Sequence, residues 1–401
     1  AAPAPPDQPP PPPQTARAEL RKPNKQRTLD RACQVFLREG TDYRANTILI
    51  HEQDSGGVDF PLIYSSYNNE KVIIHGGVSI PLDKVKDSNS PEVRARLQKN
   101  VRDKIVTIDL QQVGIRNYGK MRPVGFARSF GPTWAELFVN GEPYRLARWP
   151  NDSTVKMGKI IDGGSVPRDG DFSNRGGIFT FDTDRPLSWR SHHDIWISGY
   201  FRRGWAEDAV ELAEIDTINK LFKTRQASMY GFGSGYQYSR WYVYNILEEV
   251  DEPGEYYLDR RSGKLYFYPS DKVGSVELSM LEKPLVSMKG ASNVQLKGIS
   301  FECSRGMGIY MERTQNNLVS DCTFKNLGIV GVCIGKGIYP FKELRHEGTG
   351  EPASEIIGSY LQHIYEDPVF NRDAGRNNGV INCAIFNTGA GGVHLSGGDR
   401  L

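Results

Sequence analysis

NNLVSDCTFKNLGIVGVCIGKG (Asn316 to Gly337) and NNGVINCAIFNTGAGGVHLSGG (Asn377 to Gly398) align without a gap. Cys322 falls on Cys383, Asn326 on Asn387, Gly328 on Gly389, Gly331 on Gly392 and Val332 on Val393. The preceding stretch, NVQLKGISFECSRGMGIYMERT (Asn293 to Thr314), enters the same frame with Ile299 on Cys322, Phe301 on Phe324, Gly308 on Gly331 and Ile309 on Val332. A strand-like repeat of about 22 to 23 residues is the signature of a solenoid, in which each unit buries its apolar face against the next. Each repeat holds three short strands with alternating side chains. The leucine spacing of leucine-rich repeats is missing. Small and β-branched inward positions with Asn at the bends instead select a right-handed parallel β-helix, with Asn side chains laddering at the corners and Cys322 and Cys383 pointing inward as small hydrophobes.

Outward from these rungs the chain divides. Residues 338 to 376 form a long excursion from one turn, and solenoid insertions of this kind loop out on a face that often binds ligand. Residues 276 to 401 are read as coils, with Val276 to Leu278 resuming the spiral. Residues 133 to 275 lack the rung period and read as an inserted, mainly antiparallel β domain. Within it, Glu255 to Asp259 and Lys264 to Pro269 flank RRSG as a hairpin, and Trp134 to Asn140 with Tyr144 to Trp149 suggest a second. Residues 28 to 132 are read as an N-terminal cap, with a short helix over Thr28 to Cys33, followed by the first coils. Residues 1 to 27 form a disordered tail in which eight of the first thirteen residues are proline.

Composition narrows the function classes. The 401 residues carry 50 Lys plus Arg against 48 Asp plus Glu, a net charge of +2, which argues against a dedicated nucleic-acid binder. No apolar run reaches the roughly 18 residues of a membrane span. The 42 glycines and the 36 Tyr plus Phe suit many strands and turns. The five cysteines include no CxxC pair, which argues against a zinc or thioredoxin-type site, and their odd number argues against a full disulfide framework.

Six ordered segments, LREGTDY (Leu37 to Tyr43), QDSGG (Gln53 to Gly57), PLIYSSYNNEKVIIHGG (Pro61 to Gly77), AELFVNGEPYRLARWPND (Ala135 to Asp152), DEPGEYYLDRRSGKLYFYP (Asp251 to Pro269) and GGVHLSGGDR (Gly391 to Arg400), together resemble the right-handed β-helix proteins of glycoside hydrolase family 141 with their insertion domain. The resemblance covers nearly everything after residue 28. It implies a secreted protein that hydrolyses α-L-fucosyl or xylan linkages in plant polysaccharide. It also implies further coils, and the catalytic carboxylates, beyond residue 401, so that the chain reads as an N-terminal fragment. The stretch RTLDRACQVFLREG is compressed relative to that pattern. No signal-peptide pattern is visible among the first residues.

Glycoside hydrolysis needs two carboxylates across the scissile bond. Asp399, after a Gly-Gly pair at the end of a rung, and His394 on the same rung are the catalytic candidates, with Arg400 beside them to bind substrate. A turn Asp and a surface His are the plainer reading. In the inserted domain, Arg148, Trp149, Asn151, Trp205 and Asp208 combine aromatic faces that stack on sugar rings with charges that bind hydroxyls. The competing reading puts Trp149, Trp196 and Trp205 in that domain's core. A polysaccharide or oligosaccharide partner, a monomeric state and no cofactor are expected. Calcium enters only under the alternative of a polysaccharide lyase, and Asp182 and Asp184 are the weak candidate ligands. A glycan-binding or structural protein without catalysis is the third reading.

Overall fold

The computed structural model describes residues 33–190, 193–234, 238–335, 337–340, 348–353 and 375–396. Three parallel sheets of five strands each form the spiral. The first sheet runs Cys33–Leu37, Leu62–Ser66, Val294–Lys297, Leu318–Ser320, Gly379–Ile381. The second runs Gly40–Tyr43, Val72–His75, Ser300–Ser304, Thr323–Leu327, Ala384–Thr388. The third runs Ile48–His51, Val286–Lys289, Ile309–Glu312, Val330–Gly335, Gly391–Ser396. One strand from each sheet makes one coil, and five coils stack. This is a parallel β-helix.

The register follows the sequence repeat. Phe301 pairs with Phe324, which pairs with Ile385; Ile309 pairs with Val332, which pairs with Val393. Identical positions therefore sit above one another inside the spiral. The Phe301 and Phe324 rings stack at 5.0 Å with an interplanar angle of 12°. Ile74, Met288, Leu296, Met311, Val319 and Cys322 fill the remaining layers and are all buried. The five cysteines are free thiols.

The corners explain the asparagines. Turning the chain sharply between flat strands needs a left-handed residue, a conformation that Gly adopts freely and Asn or Asp tolerates best. Asn293, Asn316 and Asn377 hold φ of 55°, 56° and 50° at one corner; Gly298, Asp321 and Asn382 hold 66°, 55° and 52° at the next. Cys303, Asn326 and Asn387 do the same at the third, with φ of 53°, 58° and 52°. Stacking then lets each amide side chain bond its counterpart one coil away: Asn316 Nδ2 donates to Asn293 Oδ1 at 3.3 Å, Asn377 Nδ2 to Asn316 Oδ1 at 3.2 Å and Asn387 Nδ2 to Asn326 Oδ1 at 3.3 Å.

Three boundaries differ from the sequence reading. Cys33 begins a strand rather than closing a helix, while residues 28 to 32 and the tail at 1 to 27 lie outside the described residues. The second coil breaks off after Val72–His75. Gly77–Ser79 pairs antiparallel with Val276–Ser279, so the chain leaves and rejoins the spiral on neighbouring strands. Val276–Ser279 thus belongs to a separate sheet, and the spiral resumes at Val286–Lys289. Val106–Asp109 pairs with Lys264–Phe267, so the inserted lobe takes in residues well before 133.

Among the expected hairpins, Glu255–Asp259 with Lys264–Phe267 forms as read. The other turns at Asn140-Gly141, both with positive φ, but its return strand ends at Pro143. Arg145–Leu146 then crosses to pair in parallel with Glu255 and Tyr256, and Arg148–Trp149 pairs with Val243 and Tyr244. Of the excursion at 338 to 376, the described parts are a short antiparallel pairing of Gly337–Pro340 with Gly348–Ala353 and the bridge from Gly375–Arg376 to Thr314–Gln315.

Asp at position 332 would place an unpaired charge in a fully buried layer, at a cost of several kcal/mol. Val332→Asp is expected to abolish cooperative urea unfolding. Cooperative unfolding of Val332→Asp at the wild-type urea midpoint would contradict the stacking.

Candidate functional site

Where the lobe meets the spiral, the segment before Leu137–Val139 is gripped from both sides. The Thr133 N–H donates to Arg305 O of the third coil at 3.1 Å, and the Ala135 N–H to Tyr118 O of the lobe at 2.9 Å. The Glu136 N–H donates to Ser279 Oγ at 2.9 Å. Arg305 has no exposed side-chain surface. Its Nε donates to Met280 O at 3.0 Å, its Nη2 pairs with Glu282, and its Nη1 reaches Asn117 Oδ1 at 3.4 Å. These bonds fix Glu136 on a rigid support rather than on a free loop.

Glu136 opens into a cleft of about 730 Å³, within the usual range for small-molecule sites. Strand Arg240–Tyr244 contributes Tyr242 and Tyr244. Strands Arg145–Leu146 and Arg148–Trp149 contribute Arg145 and Arg148. Trp134, Tyr144, Tyr256, Asn151, Asp152, Ser198, Glu207 and the corner residue Gly389 of the last coil complete the wall. Trp134 Nε1 donates to Tyr256 Oη at 3.0 Å, which fixes both rings. The Arg148 guanidinium lies 3.6 Å from the Tyr242 ring centroid, and its Nε and Nη2 donate to Pro150 O and Ser153 O. It makes no carboxylate ion pair among the described residues. Asn151 donates Nδ2 to Asp251 at 2.9 Å, while its buried Oδ1 has no partner among the described residues.

Of the three acids on the wall, Asp152 pairs with Arg145, and Glu136 and Glu207 differ in environment. Burial pushes the Glu136 carboxyl up to about 7, against the hydrogen bond donated by Thr133 Oγ1 at 2.9 Å. Glu207 is exposed at the cleft wall and accepts bonds from Ser198 Oγ at 3.1 Å and Tyr242 Oη at 3.3 Å. Burial thus brings the titration of Glu136 to about neutrality, while Glu207 stands exposed at the cavity. Behind Arg145, Glu255 is fully buried, and burial raises it to about 7 despite bonds from the Asp251 and Glu252 N–H groups and the nearby Arg145.

Of the residues that the sequence singles out, Arg148 and Asn151 line the cleft. Trp149 does not: its ring centroid lies 6.4 and 5.9 Å from those of Trp189 and Trp241 in the lobe's aromatic core, while Trp196 is buried in a separate cluster with Tyr244 and Tyr256. Asp208 is buried and holds Arg128 in a two-point ion pair, with Nε at 2.5 Å and Nη2 at 3.0 Å, and it accepts the Met229 N–H at 2.8 Å. It is therefore structural and is corrected as a substrate ligand. Trp205 is 59 % exposed and outside the cavity wall. His394 is half-buried on the last strand beside Cys333, where burial lowers its pKa, and it does not line the cleft. Asp399 and Arg400 lie outside the described residues. Asp184 binds Lys220 at 2.6 Å, and no group of three or more His, Cys, Asp or Glu suited to a metal occurs among the described residues. No helix among them is long and apolar enough to cross a membrane.

Sequence reasoning missed Glu136, although a signal existed. It stands between Ala135 and Leu137, both fully buried, and an acid inside an apolar strand is rare without a purpose.

No family model matches the chain, and no curated protein is similar to it in sequence. The fold is similar to that of a solved structure described as "Glycoside hydrolase". The two share a TM-score of 0.59 and 15 % identity over 89 % of this chain and 66 % of that one. A second, described as "The complex structure of XylC with xylose", aligns with a TM-score of 0.38 and 10 % identity over 91 % of this chain and 46 % of that one. The chain thus spans about two thirds of the first and under half of the second. The first likeness establishes a shared fold.

A carboxyl raised on folding keeps a proton that the unfolded chain releases, so stability falls as pH rises from the ordinary 4.5 through about 7. Glu136→Gln removes that titration and leaves Glu255 in place. Between about pH 5 and about pH 8 the wild type is expected to lose more stability than Glu136→Gln, by an amount on the order of 2 kcal/mol. Parallel urea-derived stability curves would refute the buried-acid assignment.

Proposed function

We propose that this chain is a carbohydrate-active protein of the glycoside hydrolase type, and that the cleft between lobe and spiral takes a saccharide. The observation that carries the reading is that Glu136 and Glu207 both line one aromatic-lined cleft. Hydrolysis of a glycosidic bond requires an acid to protonate the departing oxygen and a second carboxylate to assist attack at the anomeric carbon. Glu136, with its pKa near 7, suits the first role, because a group that is still protonated at working pH donates most effectively. As the C–O bond breaks, its proton passes to the leaving oxygen, the oxygen of a water molecule forms the new bond to the anomeric carbon, and Glu207 is the second carboxyl group that assists this attack. Trp134, Tyr144 and Tyr242 offer faces to the C–H surfaces of the sugar. Arg148 offers a donor to its hydroxyls.

The likeness in fold to a glycoside hydrolase supports this reading, and so does the sequence resemblance to glycoside hydrolase family 141. That resemblance also carries the proposal of a secreted protein acting on α-L-fucosyl or xylan linkages of plant-type polysaccharide. The pair proposed here differs from the Asp399 and His394 candidates: His394 does not line the cleft, and Asp399 lies outside the described residues.

The test is product analysis with fucosylated pectin and xylan. The wild type is expected to release reducing ends without ultraviolet absorbance. Glu136→Gln and Glu207→Gln should each lower kcat by roughly a hundredfold or more while KM stays near the wild-type value. A new unsaturated chromophore would move the protein to the lyases, and full activity in both variants would remove the cleft from the chemistry.

A further inference from the structure

Trp205 is the most exposed tryptophan for which an aromatic support can be traced. Its side chain is 59 % open to solvent, yet it is not loose. The Phe126 and Tyr230 rings brace it at 5.1 Å each, with interplanar angles of 81° and 77°. Below them a buried ion pair locks the supports in place. Arg128, two residues after Phe126, is held by Asp208, and the same carboxylate accepts the N–H of Met229, which adjoins Tyr230. Arg128 Nη2 also donates to Ala227 O at 2.8 Å. Three segments distant in sequence are thus tied to one carboxylate, and the ring that they carry faces water.

The platform is continuous with the cleft. Glu207, two residues after Trp205, stands on the cleft wall, and so does Gly125, which precedes Phe126. The Phe126 N–H donates to Glu207 O at 2.7 Å, and Gly125 pairs with Asp208. Phe130, 37 % exposed, lines the cavity from the same loop. A rigid, exposed aromatic face is unfavourable in water unless something covers it. An aromatic surface that runs directly out of a polar, hydroxyl-binding cleft suits the alternating C–H and O–H faces of a sugar chain.

We infer that Trp205, braced by Phe126 and Tyr230, is an outer stacking subsite of the cleft, so that the ligand is a saccharide chain of several units that reaches from the cavity onto this ring. The inference rests on the proposed saccharide cleft and deepens it. Asp208 and Arg128 are positioning residues for the platform; neither contacts the sugar.

Calorimetric titration of the full chain with a xylo-oligosaccharide ladder from disaccharide to hexasaccharide, and with fucosylated pectin oligosaccharides graded by length, tests it. Wild-type affinity should rise with chain length. Trp205→Ala should weaken the long ligands about tenfold, as expected for loss of one aromatic contact, and leave the shortest unchanged. Trp205→Phe should recover most of the loss. Losses equal at every length, or none at any length, would overturn the subsite while leaving the cleft in place. Failure of the wild type to bind any member of either series would overturn the cleft and the subsite together.

Discussion

A stacked coil must turn three corners per circuit without losing a backbone hydrogen bond, and the left-handed residue at each corner is what allows this. Asn, Asp and Gly reach that conformation at little cost. Because the strands above and below are in register, the asparagine at one corner also lies over the asparagine of the next coil. The ladder from Asn293 through Asn316 to Asn377 follows. The same register places Phe301 over Phe324 and Ile309 over Val332, so a local backbone requirement and the burial of the apolar layers select one structure.

The lobe is compatible with this stack because it leaves and returns at adjacent strands. The pairing of Gly77–Ser79 with Val276–Ser279 closes its neck, and the second coil is completed by Val286–Lys289 as though nothing had intervened. Arg305 then ties the neck to the coil through Met280, Glu282 and Asn117. Asn326 Nδ2 adds a bond to Gly141 O at 2.9 Å, so one residue of a corner column anchors the lobe. The cleft lies at this joint, where a stable spiral meets a lobe whose surface can vary, and its acids are held by backbone that belongs to both.

The rungs were legible because their signal is repeated: a column of asparagines and glycines at fixed offsets has few other physical causes. The limits of the lobe were not legible. Val276–Ser279 alternates like a coil strand, and alternation does not identify a partner. The cleft was partly legible. Arg148 and Asn151 stood out as polar residues beside aromatics. Glu207 and Asp208 are neighbours at the head of one strand, and neighbouring side chains there face opposite ways. One meets the cleft and the other is buried with Arg128, a distinction set by the tertiary packing of that strand. Trp149 and Trp205 divide in the same way: one faces two tryptophans in a core and the other faces solvent.

The most direct measurement is a crystal structure of the Glu136→Gln variant soaked with an oligosaccharide of the xylan or fucosylated pectin series. The account predicts continuous sugar density in the cleft, with a glycosidic oxygen beside residue 136, Glu207 on the same sugar unit, and the chain continuing over Trp205. Density confined to the outer faces of the coils, with the cleft filled by water alone, would contradict it.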